Sequence, residues 1–245
     1  MNIEKQYLTI SNYNRPGTHR DRTAAVACHY IGNPGTSAQA NRNYFENLKD
    51  THTTKASCHY IIGLQGEIIQ LIPEEEISWC TNKANSYTIS IEACHPDATG
   101  KFTDATYASY VALSADICKR YSLDPKAGGL IRHHDVTGKI CPKWFVDHPE
   151  AWEQFKADVA SAMEEKKSGW YQEADGWRFY LGNTGECVKN KWYEDAGKWY
   201  WFDGSGKMVT NIWYKYQGHW YYLGADGAMA KIDITIAGLF QVVTG

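Results

Sequence analysis

The 245-residue chain has no surplus of positive charge. Its 25 Lys and Arg face 28 Asp and Glu, for a net charge of −3. A nucleic-acid binder needs a basic face, so no nucleic acid is expected among its partners. No apolar run reaches the roughly 18 residues of a membrane-spanning helix, so no membrane insertion is expected either. Residues 1–7 lack the apolar core of a secretory signal. The expectation is synthesis in the cytoplasm without a signal peptide, followed by release or export by another route. Cysteine is present but in the wrong pattern for a disulfide scaffold: seven residues, an odd number, are spread from Cys28 to Cys187. Free thiols are the expected state. The remaining composition, 43% hydrophobic and 22% charged, is that of a globular protein of one or two domains.

Aromatic residues are unevenly distributed. Of 34 Phe, Trp and Tyr, 17 fall within residues 170–230, as do seven of the ten Trp. That quarter is an internal repeat. Trp170, Trp192 and Trp213 are 22 and 21 residues apart, Trp177, Trp199 and Trp220 keep the same spacing, and Gly185, Gly206 and Gly227 recur every 21. Aromatic strands closed by Gly and Asp turns predict one β-hairpin per unit. A lone hairpin cannot bury its apolar face, so the hairpins are expected to stack as a solenoid. A polar stretch at 166–169 reads as the linker before them. The tail, 231–245, is strand-like and could cap the last hairpin or pair with a second copy, giving a homodimer.

Residues 1–165 alternate strand and helix signals, which predicts an α/β domain with a mixed sheet flanked by helices. Strands are expected at 23–31, 58–63, 67–72, 88–94 and 130–134, the second and third forming a hairpin. Helices are expected at 38–48 behind Ser37, at 104–121 behind Thr103, and from Pro149, where Trp152, Phe155, Val159 and Met163 share one face.

The strongest chemical signal is Ile131-Arg-His-His-Asp-Val-Thr-Gly-Lys-Ile-Cys-Pro142, with two imidazoles, a thiol and a lysine close together. Imidazole with thiolate favours zinc, and His29 in a preceding strand could supply a third ligand. Strand alternation lets only one of His133 and His134 face a metal. Cys28, Cys94 and Cys118 lie in apolar patterns and read as core thiols. His59 reads as a core or supporting residue, and His19, His95 and His148 as surface.

In order along the chain, Cys28-His29-Tyr30, Ser57-Cys-His-Tyr60, Ile89-Ser-Ile-Glu92 and His133 with Lys139-Ile-Cys141-Pro142 resemble the type 2 N-acetylmuramoyl-L-alanine amidases, a family that includes phage endolysins, autolysins and peptidoglycan-recognition proteins. His133 is eight residues before Cys141 and Lys139 two before it, as in that family's motif. The resemblance implies Zn2+ held by His29, His133 and Cys141, Glu92 as general base, Lys139 stabilising the oxyanion, and peptidoglycan as substrate, cut between N-acetylmuramic acid and L-alanine. Two positions depart from the family: Cys58, where some relatives carry a catalytic Tyr, and Cys80, where many carry His. The aromatic units resemble choline-binding, cell-wall-binding repeats. That resemblance implies a wall ligand, choline or another polymer, held by Trp170, Trp177, Trp192, Trp199, Trp213, Trp220 and Tyr222 through cation–π attraction. It also puts the place of action at the bacterial cell wall. Two rivals remain open: a recognition protein without catalysis, and a cysteine peptidase using Cys141.

Overall fold

The computed structural model describes residues 1–164, 166–182, 184–234 and 240–243. Contacts divide the chain into two units, Met1–Glu164 and Glu165–Gly245.

In the first unit a six-stranded sheet runs in the order β1-β4-β3-β5-β2-β6, with β1 Ile3–Lys5, β2 Ala25–Tyr30, β3 Tyr60–Ile62, β4 Ile68–Gln70, β5 Thr88–Ala93 and β6 Leu130–Arg132. The pairings are parallel except β3 with β4, the hairpin closed by residues 63–67. Two-residue alternation sorts the side chains. Val26, Cys28, Tyr60, Ile62, Ile89 and Ile91 join the apolar core with helices α2 Asp104–Arg120 and α5 Pro149–Met163. On the opposite face Ile61, Ile69 and Leu71 pack with Ala38, Phe45 and Leu48 of α1 Ala38–Thr51. His29 and Glu92 point to this second face, between their core-facing neighbours.

Caps set the helix starts as the sequence predicts. The Ser37 hydroxyl accepts from Ala40 N at 3.2 Å, and Thr103 accepts from Thr106 N at 3.0 Å. Cys28, Cys94 and Cys118 are buried free thiols. One expectation fails in an instructive place. The strand at 130–134 stops at Arg132, and His133–Thr137 forms a short helix, α3. Asp135 Oδ2 accepts from Arg132 N at 2.8 Å while its carboxylate also holds the Arg132 guanidinium, so a local cap overrides strand extension. His95, expected at the surface, is buried, with its ring nitrogens 2.7 Å from Ile31 O and 2.6 Å from Asp97 O. Helix α4 Lys143–Asp147 lies between α3 and α5.

The second unit is a run of antiparallel hairpins: β7 Gly169–Glu173 with β8 Gly176–Leu181 and the short β9 Glu186–Cys187, β10 Lys191–Asp195 with β11 Lys198–Phe202, β12 Ile212–Tyr216 with β13 His219–Leu223, and β14 Lys231–Ile234 with β15 Phe240–Val243. The segment after each hairpin returns to the one before. Met208 N donates to Trp177 O at 2.8 Å, and Met229 N donates to Trp199 O at 2.7 Å. Phe179, Val188, Phe202 and Met208 form the buried strip between the first two. In the strand-like tail, residues 235–239, 244 and 245 lie outside the described residues.

Candidate metal centre and aromatic pockets

The carboxyl ends of β2, β5 and β6 meet at one place, the usual position for a ligand in a sheet with parallel strands. In the register of β2 against β5, His29 stands opposite Glu92. Tyr110 fastens this corner from beneath: its hydroxyl accepts from His29 N at 2.9 Å and lies 3.2 Å from the carbonyls of His29 and Ile91. The chain leaves β6 directly into His133. The turn beyond α3 ends in the left-handed Gly138, with φ 78°, and His134 N donates to Cys141 O at 3.0 Å. That bond folds Cys141 back beside His133.

One ligand atom from each of His29, His133 and Cys141 lies within 4.8 Å of the others, and all three residues are buried. Cys141 Sγ is 3.6 Å from His29 Nδ1. The outer nitrogens are occupied: His29 Nε2 is 2.9 Å from Thr81 Oγ1 and His133 Nε2 is 3.2 Å from Asn82 Oδ1. An amide oxygen only accepts, so Nε2 of His133 carries the proton and Nδ1 keeps its lone pair. Burial, with the positive groups around them, holds both imidazoles below their ordinary pKa and hence neutral. Two neutral imidazoles and a thiol, each imidazole oriented from behind, are a donor set that fits Zn2+. His134 is turned away, 3.8 Å from Asp135.

Glu92 Oε1 lies 4.0 Å from His29 Nδ1 and accepts from Cys80 Sγ at 3.7 Å. Its Oε2 is buried without a hydrogen-bond partner. Burial pushes the carboxyl up to about 8, opposed by the Lys139 ammonium and the Cys80 thiol. Lys139 is exposed and lines, with Trp79, Cys80, Asn85, Glu92 and His133, a cleft of about 310 Å3. Cys58 is fully buried beneath, and His59 is a core group, its Nδ1 3.0 Å from Ser90 Oγ and its Nε2 2.9 Å from Glu76 O. Thr81, Asn82 and Tyr110 carry no signal in the sequence; only loop closure and the opposite core bring them here.

A larger hollow, about 630 Å3, is lined by Trp170, Asp175 and Trp177 of the first hairpin, Tyr200 of the second, Lys207 and Met208 after it, and Asp226 from the turn after the third. Trp170 is nearly perpendicular to Trp177, with centroids 6.5 Å apart, and 4.7 Å from Tyr200. Its indole N–H donates to Asp195 at 2.9 Å. One unit on, Trp192 stands 5.1 Å from Tyr221 in a similar tilted arrangement. The ring that completes each pair thus comes from the next hairpin at positions 200 and 221. The first hairpin has Arg178 there, paired with Asp175 at 2.6 Å. Tyr222 instead packs on Trp213 of its own hairpin at 5.3 Å. Trp213 and Trp220 are exposed.

Residues 19–144 match the N-acetylmuramoyl-L-alanine amidase family, and residues 193–232 match the choline-binding repeat. The chain is 30% identical over 177 residues to the N-acetylmuramoyl-L-alanine amidase CwlL of Bacillus licheniformis, covering 67% of this chain and 48% of that protein. It is 27% identical over 180 residues to the N-acetylmuramoyl-L-alanine amidase BlyA of Bacillus subtilis strain 168, covering 65% and 47%. The chain thus spans about half the length of these relatives. Among solved structures, a mutant endolysin from Bacillus subtilis aligns with a TM-score of 0.55 at 26% identity, covering 65% of this chain and 99% of that one.

Proposed function

The chain belongs to the N-acetylmuramoyl-L-alanine amidase family, and from that premise we propose that it hydrolyses the amide between N-acetylmuramic acid and L-alanine of peptidoglycan while its repeats hold it to the cell wall. In this reading residues 1–165 are the catalytic domain, 166–169 the linker and 170–230 the wall-binding repeats. The carrying observation is the convergence of His29, His133 and Cys141 beside the half-buried Glu92, whose Oε2 has no partner.

His29, His133 and Cys141 would hold one zinc ion, whose Lewis acidity makes water nucleophilic near neutral pH. Glu92 is positioned to take the proton of the attacking water on Oε2, the oxygen that no protein group engages. Lys139, on the rim of the same cleft, faces the charge that develops on the carbonyl oxygen. As the carbon–nitrogen bond breaks, Glu92 returns its proton to the departing nitrogen of L-alanine. Cys141 as a peptidase nucleophile is disfavoured, since burial pushes its thiol up to about 12. Recognition without catalysis is disfavoured by the presence of Cys141, Glu92 and Lys139 together.

At the repeats, three rings around one hollow suit a quaternary ammonium such as choline, at roughly 0.5–2 kcal/mol per ring contact, while Asp175 and Asp226 there are already paired with Arg178 and Lys198. No helix among the described residues is long and apolar enough to cross a membrane; the proposed place of action is the bacterial wall. Mass spectrometry of digested peptidoglycan tests the bond: new L-alanine amino termini are expected, and new termini elsewhere in the peptide would sink the reading.

A further inference from the structure

His29 belongs to two donor sets. One is His29, His133 and Cys141. The other is His29, Cys80 and Glu92, whose ligand atoms also lie within 4.8 Å of one another. Cys80 enters from the loop just before the Asn82–Ala84 turn, and its thiol is directed at Glu92 Oε1, 3.7 Å away. Because both sets draw on His29 Nδ1, they hold one ion between them and not two.

We propose that the metal centre has a second, inactive position, in which a zinc-class ion is bound by His29, Cys80 and Glu92 and the carboxylate serves as a ligand instead of a base. This rests on the amidase reading for the role of Glu92. The chemistry of the sets sorts their roles. A dication with one thiolate and two neutral imidazoles keeps a net charge of about +1, which is suited to meeting the negative charge of a reacting carbonyl. With one thiolate and one carboxylate the charge is cancelled, so this arrangement leaves no net charge to attract a reacting carbonyl. Both close contacts of the second set converge on Glu92 Oε1, 4.0 Å from His29 Nδ1 and 3.7 Å from Cys80 Sγ. Substrate can draw the ion back only by binding the first arrangement more tightly, since a ligand shifts an equilibrium by its differential affinity alone.

The test uses the full chain, stripped of metal and titrated with Co2+, following the thiolate-to-cobalt charge-transfer absorption and the bound metal per chain. Cys141→Ser removes the only thiolate of the first set. The proposal expects this variant to bind about one ion with a thiolate band still present and to expose no new L-alanine amino termini in peptidoglycan. Adding Cys80→Ser should abolish the band. If the buried hydroxyl unfolds the chain, as read by circular dichroism, Cys141→Ala makes the same test. A Cys141 variant that is folded but lacks the band overturns the proposal, as does a band that survives loss of both thiols. Wild-type protein that binds cobalt and exposes new L-alanine amino termini keeps the amidase reading whatever the variants do; wild-type protein that does neither sinks that reading instead.

Discussion

Burial fixes the behaviour of Glu92 before any substrate arrives. Its carboxyl is pushed up to about 8 from 4.5, so the folded protein without metal holds a proton that the unfolded chain has released. Stability then falls wherever the folded state binds more protons than the unfolded one, here from about pH 4.5 to about 8. His29 acts in the opposite sense. Its neutral form is favoured well below 6.5, so acid protonates the unfolded chain first and stability falls as pH drops below that value. Above 6.5 the histidine contribution, shared by His29, His59 and His133, fades while that of the glutamate persists to about 8. Thermal melts of chelated protein should therefore show a lower Tm at pH 8 than at pH 6.5, and Glu92→Gln should flatten that slope; an unchanged slope would refute the buried-acid account. In catalysis the same substitution should retain metal and reduce turnover by roughly 10²–10⁴, the usual worth of a positioned base. His29→Ala should lose metal altogether, because both donor sets contain that ring. Metal content by mass spectrometry together with turnover checks both expectations.

At the scale of elements, the aromatic face of α5 holds the sheet's second layer in place. Phe155 is fully buried, with ring centroids 5.0 Å from Tyr110 and Phe145 and 5.7 Å from Trp152. Phe155→Ala leaves a cavity that several aromatic rings cannot collapse into. Urea unfolding should register a loss of roughly 3–5 kcal/mol, and a loss under 1 would mean the helix repacks. Since Tyr110 also fastens His29 to β5, weakened metal affinity should accompany the loss. That face was legible in the sequence, because Trp152, Phe155 and Val159 recur at helical spacing behind Pro149. The placing of His29 and Glu92 near the ends of two apolar strands was legible too, but not that those strands pair in a register that sets the two residues opposite each other. The helical start of His133 was not, because it depends on how Asp135 caps the backbone of Arg132. The ring completing each aromatic pocket was also hidden. Repeat arithmetic marks which Trp residues recur, but the pairing of Trp170 with Tyr200 follows from how one hairpin stacks on the next.

For the whole molecule, the division after Glu164 suggests that the two units can be tested apart. Residues 1–164 alone should fold, bind about one zinc and cleave soluble muropeptides as fast as the full chain, since His29, Glu92, His133, Lys139 and Cys141 all lie within them. On intact walls the fragment should be slower. The repeats raise the local concentration of enzyme at the polymer without adding any contact to the reacting bond. Equal rates on walls would remove the tethering role. The ligand of that tether can then be read from the full chain by titrating choline against Trp fluorescence, with ammonium chloride as the salt control. Trp170, Trp177 and Tyr200 surround one hollow, so a quaternary ammonium should quench saturably where ammonium, strongly hydrated, does not. The pairing of Trp192 with Tyr221 offers a second cage. A third would need a ring 21 residues beyond Tyr221, where the sequence has Val242. Two bound cholines per chain are therefore expected, counted by equilibrium dialysis. Silence at tens of millimolar choline, with adsorption to walls retained, would mean that the same rings stack on a saccharide of the wall polymer, because an indole face accepts an apolar sugar face as readily as a cation.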